Sequence, residues 1–327
     1  MSAQNPKNTA ASVRQRLLNR SREESQEFQL VLTRYALERL IFRLSLSSYA
    51  EKFVLKGAML FYVWNPTAGA YRPTRDLDFL MRGENSVEIL ETIFRKIVQT
   101  EVSPDGLVFD PESINAAPIR EDNRYGGLRV NLMALLEKAR IPLQIDIGFG
   151  DKITPGPEQI AFPSLLGQEL ARLSAYPKET VIAEKLEAMV SLGEANSRMK
   201  DFYDIHFLSL HYAFDGDILR QAIAATFNGR GTAIPAGEIY PLSAEFSRNP
   251  ARQRLWTGFL NRLGLKDVEP SFDIVTQQIA ALVHAPVQAA SQNATLHRKW
   301  SPGARRFFAS RRWCDILLDH QFTNSIA

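Results

Sequence analysis

The sequence predicts an α/β core, built on a mixed twisted sheet flanked by helices, followed by a mainly helical C-terminal domain. Three observations point to it. Short runs around Asp76–Phe79, Leu128–Leu132 and Leu143–Ile147 alternate apolar and polar residues with the period of two that a strand requires. Stretches without Gly or Pro carry apolar residues at helical spacing. From Lys178 onward the helical pattern takes over. A chain of 327 residues exceeds the roughly 250–300 at which single cores stop growing. Two domains are therefore expected, a core over 1–212 with an N-terminal helical segment and a helical domain over 213–327.

The elements follow in order. Residues 12–50 lack Gly and Pro, and Leu30, Leu37, Leu40 and Ile41 recur at helical spacing. Val54 and Leu55 lead into Lys56–Leu60, read as a helix in which Gly57 permits close backbone approach. A loop with Pro66 and Gly69 delivers the chain to the Asp76 strand. A helix is expected over Ser86–Val98. Strands are expected at Leu107–Phe109, at Leu128–Leu132 after the turn-like Tyr125–Gly127, and at Leu143–Ile147. Gly193 marks the stop of a helix that begins at Lys178, and a second helix spans about Ser197–Leu210. Asp215-Gly216 is a turn signal near the expected boundary. The remainder reads as helical, broken by a Gly- and Pro-containing loop over 229–241.

Composition excludes several classes. The 45% apolar and 23% charged content is that of a globular protein, and no stretch approaches the ~20 apolar residues of a membrane span. Cys314 is the only cysteine, so neither an internal disulfide nor a multi-Cys zinc site is available. With a polar N-terminal stretch, this points to the cytoplasm and to no membrane. None of the five histidines has metal-ligand spacing, and no phosphate-binding P-loop or nucleophile elbow is present. Net charge is only +3, so the distribution of charge carries more than its sum. Arg14, Arg16, Arg20 and Arg22 gather near the start. Arg298, Lys299, Arg305, Arg306, Arg311 and Arg312 gather near the end, interleaved with Trp300, Phe307, Phe308 and Trp313. Such a mixture suits phosphate contact and base stacking, and equally a solvated helix face over an aromatic stripe.

The chemistry concentrates in two strands. Alternation places Asp76 and Asp78 on one face and Leu77 and Phe79 on the other, and the second strand separates Asp146 from Ile145 and Ile147 in the same way. Three carboxylates over an apolar floor suit Mg²⁺ and a nucleoside triphosphate, as a phosphoryl-transfer site requires. A bare Asp-x-Asp also describes solvated carboxylates at a strand end; Asp146 on a second strand favours the metal. Lys185 lies at the edge of the apolar stripe Ile182, Leu186, Met189 and Val190, while Glu184 and Glu187 point away. It is either a triphosphate clamp or a lysine whose stem packs while its ammonium reaches water. Asp201 and Asp204, with Lys200, read as a surface ion-pair network, or Asp201 orients Lys185 or a metal-bound water.

At this point the chain resembles the AbiEii/AbiGii nucleotidyltransferase toxins of type IV toxin–antitoxin systems, within the DNA polymerase β-like superfamily. The resemblance covers about residues 50–212 and rests on five ordered blocks: Phe53–Gly57, Arg72–Phe79, Gln144–Asp151, Glu179–Val190 and Asn196–Asp204. It implies a nucleotidyltransferase core. By this match Asp76, Asp78 and Asp146 bind the metal, Lys185 contacts the triphosphate, and Asp201 is the acidic residue of the last block. Lys56, Gly57, Ala58, Arg72, Thr74 and Lys185 are the candidate nucleotide-binding residues. The chain departs from the superfamily at Gly57-Ala58, where Gly-Ser or Gly-Gly is common, and in the long span from Gly57 to Asp76. The C-terminal region from about 213 matches no family. The implied activity is Mg²⁺-dependent transfer of a nucleotide from an NTP to the 3′ acceptor end of tRNA. That transfer blocks aminoacylation and arrests growth, and a cognate antitoxin is the implied partner. Modification of a protein hydroxyl and a non-catalytic nucleotide- or antitoxin-binding module are the alternatives.

Overall fold

The computed structural model describes residues 6–64, 72–119, 126–265 and 268–309. Pro66, Gly69, Tyr125, Arg311, Arg312, Trp313 and Cys314 lie outside them. The chain forms two compact units, Met1–Asp151 with Pro157–Tyr176, and Lys152–Gly156 with Pro177–Ala327.

The first unit contains α1 (Pro6–Glu23), α2 (Phe28–Leu46), β1 (Phe53–Lys56), α3 (Leu60–Trp64), β2 (Asp76–Met81), α4 (Val87–Val98), β3 (Leu107–Pro118), β4 (Leu128–Leu136), β5 (Ala139–Phe149), β6 (Glu158–Phe162) and β7 (Ala171–Ala175). The strands form one seven-stranded sheet in the order β3-β4-β5-β2-β1-β7-β6. It is mixed: β2 runs parallel to β5 and β1 to β7, and the remaining pairs are antiparallel. Alternation drives it. Leu77, Phe79, Val130, Leu132, Ile145 and Ile147 are buried on one face, and α2 and α4 pack against that sheet. Phe79 and Phe94 each meet Phe53 edge-on, at 5.6 and 6.1 Å between ring centres. Ser86 caps α4 by accepting the Ile89 N–H.

Two expectations are corrected here. The helical stretch expected over 12–50 is two helices, because Ser25 takes a left-handed backbone (φ 50°) in the polar link between them. Lys56–Leu60 is not a continuous helix. Lys56 ends β1, Gly57–Met59 form one tight turn, and α3 starts only at Leu60.

The second unit contains α5 (Lys178–Leu192), α6 (Met199–His211), β8 (Phe214–Asp215), α7 (Gly216–Arg230), α8 (Ala244–Arg248), α9 (Pro250–Leu263), α10 (Phe272–Ser291), β9 (Arg298–Ser301) and β10 (Arg306–Ala309). Gly193 ends α5 with φ 49°, and Asp215 caps α7 through the N–H groups of Asp217 and Ile218. The compact units therefore part near Tyr176 rather than at 212. Helices α5 and α6 pack with α7 and α10, which draws residues 177–212 into the helical unit.

Over its described residues, 298–309, the basic and aromatic segment near the end is not a helix either. It is a hairpin of β9 and β10, completed by β8 into a three-stranded antiparallel sheet. Pro302 and Gly303 stop a helix from forming across it. Trp300 pairs with Phe307 in register, is buried, and donates its indole N–H to the Ser209 carbonyl at 2.8 Å. Arg298, Arg305 and Arg306 stay exposed.

Candidate active site

Strand pairing in the first unit lines up four charged residues. Lys56 on β1 is the register partner of Asp78 on β2, Asp78 of Asp146 on β5, and Asp146 of Arg129 on β4. Side chains of register partners share a sheet face, so Lys56, Asp78, Asp146 and Arg129 form one transverse row, two carboxylates between two cations. The row lies opposite the buried face formed by Leu77, Phe79, Ile145 and Ile147, and Asp78 and Asp146 are half-buried. A parallel row two residues along contains Asp76 and Gln144, where the Gln144 amide donates to Asp76 Oδ1 at 3.3 Å. Asp76 is exposed.

Gly57 has a specific reason to be glycine. Its φ is +73°, and a Cβ built there would fall 2.0 Å from Asp78 Oδ2. The close approach foreseen at Gly57 is thus made by the Asp78 carboxylate, which fills the space that any side chain at 57 would need. The half-buried Lys56 places its ammonium 2.9 Å from Asp151 Oδ2 and 5.3 Å from the Tyr176 ring centre. Ala58 is buried. Thr74 is buried too, and its hydroxyl both donates to the Asp76 carbonyl and accepts the Asp76 N–H, each at 3.2 Å. Thr74 therefore shapes the entry into β2. Arg72 is half-buried just before it.

Asp146 is placed beside Asp78, as its strand position foresaw, and Arg129 holds it. Arg129 Nε and one terminal nitrogen each donate to a different Asp146 oxygen at 2.8 Å, a bidentate pair. Among the described residues no three His, Cys, Asp or Glu side chains stand close enough to hold a metal ion. The expected trio of Asp76, Asp78 and Asp146 is thus not assembled as a ligand set: Asp76 lies in the next row along from Asp78 and Asp146, where it pairs with Gln144. Asp76 and Asp78 are two hard oxygen donors on one strand, with the Asp78 carboxylate set against the bare Cα of Gly57. That pair fits a Mg²⁺-type cation, which is commonly held by one or two carboxylates and completes its shell with water and substrate phosphate.

The second unit holds the other charged cluster. Lys185 on α5 donates to Asp201 Oδ1 at 2.8 Å and to Asp204 Oδ2 at 2.7 Å, and Arg198 Nε meets Asp201 Oδ2 at 2.7 Å. The side chains of Lys185, Asp201 and Asp204 are 14%, 1% and 0% exposed. A surface network is thereby corrected to a buried one, and Asp201 does orient Lys185. Burial pushes the Asp201 carboxyl up, and the charges of Lys185 and Arg198 outweigh it and hold the group below the usual carboxylate range. Glu187, expected to point away, is also buried, paired with Arg230 at 2.9 Å.

Sequence reading missed Arg129, Gln144 as the partner of Asp76, and Asp151 as the partner of Lys56. Gln144 and Asp151 lie within the block Gln144–Asp151. Arg129 alternates between Leu128 and Val130, but only the β4–β5 register assigns its partner.

Comparison with known proteins gives a family match. A family model described as "Nucleotidyl transferase AbiEii toxin, Type IV TA system" matches residues 39–278, a span that includes every candidate site residue. Two crystal structures from Helicobacter pylori are similar. One is described as "putative nucleotidyltransferase from H. pylori" (16% identity, 83% of this chain and 100% of that one, TM-score 0.46). The other, JHP933, shares 16% identity over 82% of this chain and 97% of its own, with a TM-score of 0.48. No curated protein sequence matches the chain.

Proposed function

The chain belongs to the AbiEii family of nucleotidyl transferase toxins of type IV toxin–antitoxin systems, and from that premise we propose that it transfers a nucleoside monophosphate from an NTP to the 3′ acceptor end of tRNA. The product blocks aminoacylation and arrests growth. A cognate antitoxin restrains the toxin, and the reaction takes place in the cytoplasm. No described helix is long and apolar enough to cross a membrane.

The observation that supports this reading most is the row Lys56–Asp78–Asp146–Arg129 over Gly57. In the reaction the RNA 3′ oxygen attacks the α-phosphorus in line, a new P–O bond forms, the α–β bridging bond breaks, and pyrophosphate leaves. Asp76 and Asp78 would hold Mg²⁺. When bound, Mg²⁺ supplies Lewis acidity and neutralises charge on the triphosphate. Asp146, fixed by Arg129, is left to accept the proton of the attacking hydroxyl. Lys56 and Arg129 flank the carboxylates with positive charge, and Lys185 contributes phosphate contact on the strength of the family match. Arg298, Arg305 and Arg306 on the exposed hairpin suit the RNA backbone.

The test is incubation of the protein with total tRNA and each labelled NTP in turn, wild type beside Asp78→Asn. Label should enter the RNA fraction with the wild type and fall by about a hundredfold or more with the variant, the scale at which removing one transition-state contact usually acts. Label in the protein fraction would replace tRNA by a protein acceptor. Equal label with both proteins would remove Asp78 from the chemistry.

A further inference from the structure

One row along the sheet from Asp78 and Asp146, the polar face changes from charged groups to amides. Asp76 on β2 is the register partner of Gln144 on β5, Gln144 of Asn131 on β4, and Asn131 of Asn115 on β3. We propose that Gln144, Asn131 and Asn115 read the base of the unpaired 3′-terminal nucleotide of the acceptor RNA. The inference deepens the reading under Proposed function, on which it rests, and makes the three amides specificity residues for the acceptor.

Alternation turns these side chains away from the core. On β4 and β5 it buries Val130, Leu132, Leu143 and Ile145, so Asn131 and Gln144 face the other way. β3 joins them only through an irregularity. Between the pairs Asp110–Met133 and Asn115–Asn131 it advances five residues while β4 advances two. The odd excess reverses the facing of the residues that follow, as a β-bulge does. Ile114 and Ala116 are thereby buried, and Asn115 and Ala117 are exposed on the face of Asn131.

Asn is a poor strand residue, because its short amide competes with the backbone for hydrogen bonds. Asn115 and Asn131, exposed and in register, give the sheet nothing that Thr or Val would not give better. Amides both donate and accept, which matches the mixed edge of a nucleobase. An unpaired base leaves that edge open. RNA phosphate calls instead for cations, and these stand on the same face to either side of the amides. Arg129 lies one row toward Asp146, and the exposed Arg140 lies two rows the other way. In the row between, Met133 and Pro142 are apolar, and the Asp110 carboxylate accepts the Glu112 N–H at 3.0 Å within the bulge.

Position selects the acceptor rather than the NTP. In the proposed reaction Lys56 and Gly57 serve the triphosphate on the β1 side of Asp78, and Asp146 serves the attacking hydroxyl on the β5 side. The amide row runs from β5 through β4 to β3, away from β1. Rows on one face are about 7 Å apart and neighbouring strands about 5 Å. A nucleotide whose 3′ oxygen lies at Asp146 therefore brings its base to Gln144 and Asn131, and Asn115 extends the row by one strand. Gln144 also ties the row to the site through its bond to Asp76.

The experiment measures acceptor binding without NTP, so that no turnover is involved. Full-length wild type, Asn131→Ala and the double variant Asn115→Ala/Asn131→Ala are titrated into tRNA labelled with a fluorophore at its 5′ end, and anisotropy is read. The tRNA is used intact and trimmed of its unpaired 3′ nucleotides. Asn131→Ala should weaken binding of intact tRNA about tenfold, the scale of one lost amide–base pairing, and the double variant should weaken it further. Trimming should cost the wild type at least as much and leave the double variant unchanged. In the transfer reaction the double variant should raise KM for tRNA and keep KM for NTP within about twofold. Thermal melts of each variant show whether the fold is kept. The proposal is overturned if both variants bind intact tRNA like the wild type, or if they weaken intact and trimmed tRNA equally. It is also overturned if KM for NTP rises instead, which would assign the amides to the incoming nucleotide. Label in RNA with unchanged variants sinks the amide row alone. No label in RNA with the wild type, and no loss on trimming, sinks the proposed function and the amide row together.

Discussion

The two charged clusters of this chain are built from the same parts and behave differently. The sheet row sets Lys56 and Arg129 about Asp78 and Asp146, and the helical cluster sets Lys185 and Arg198 about Asp201 and Asp204. In the row the carboxylates are half-buried and the Arg129 side chain is partly open to solvent. In the cluster both aspartates are sealed from water. An ion pair in contact with water gains little and exchanges partners cheaply. A sealed pair that loses one member leaves an uncompensated charge in low dielectric, and the cost is several-fold larger. The comparison teaches that the sheet row can exchange its partners at small cost, while the Lys185 cluster first holds α5 to α6.

The largest effect that tests this contrast is on Lys185. Lys185→Ala should destabilise the protein by about 3–5 kcal/mol, the range for breaking a buried pair, visible as a lower midpoint in urea unfolding. A change below about 1 kcal/mol would move Lys185 into the exchangeable class.

The same cluster predicts an acid signature. The folded Asp201 carboxyl titrates below its ordinary value, so its ionised form contributes stability that is complete above the unfolded pKa of about 3.9 and is lost as pH falls through the lower folded value. The stability gap between wild type and Asp201→Asn should thus stay level from pH 7 to about 5 and shrink below about 4. A gap that closes already between pH 7 and 5 would assign the effect to another group.

Gly57→Ala comes next. The backbone at φ +73° disfavours alanine, and the new methyl would push into the Asp78 carboxylate. A loss of about 1–3 kcal/mol is expected from the backbone, together with loss of nucleotide transfer. Retained transfer would show that Asp78 can work from another position.

The smallest effect belongs to Arg129. Arg129→Gln should change folding stability by less than about 1 kcal/mol in denaturant unfolding, in keeping with a partly exposed pair. A loss as large as that at Lys185 would erase the distinction between the two clusters.

Local interactions were legible in the sequence and distant ones were not. The alternation in Asp76–Phe79 and Leu143–Ile147 fixed which side chains share a face, because strand period is a property of the backbone alone. Ser86 and Gly193 marked helix ends for equally local reasons. Strand register is not local. Arg129 lies 17 residues from Asp146, and nothing in its own neighbourhood names that partner. Burial of α6 is not local either. Asp201 and Asp204 have the spacing of a surface pair, yet Met199, Phe202, Tyr203 and Ile205 around them are buried as well, so the helix has little solvent face in this stretch. The expected division at 212 missed because α5 and α6 share the helical pattern of the C-terminal segment, while the fold change itself falls at Pro177. The hairpin after residue 297 was hidden by basic and aromatic spacing that suits either a helix or a strand, and Pro302-Gly303 was the available clue.

The central claim is that the polar face of the sheet carries nucleotide transfer. The most direct measurement is mass spectrometry of tRNA 3′-terminal fragments after incubation with each NTP, with wild type and Asp78→Asn compared. The expected result is 3′ fragments heavier by whole nucleotide residues with the wild type and unchanged fragments with the variant. Unchanged 3′ ends with the wild type, or identical additions by both proteins, would contradict it.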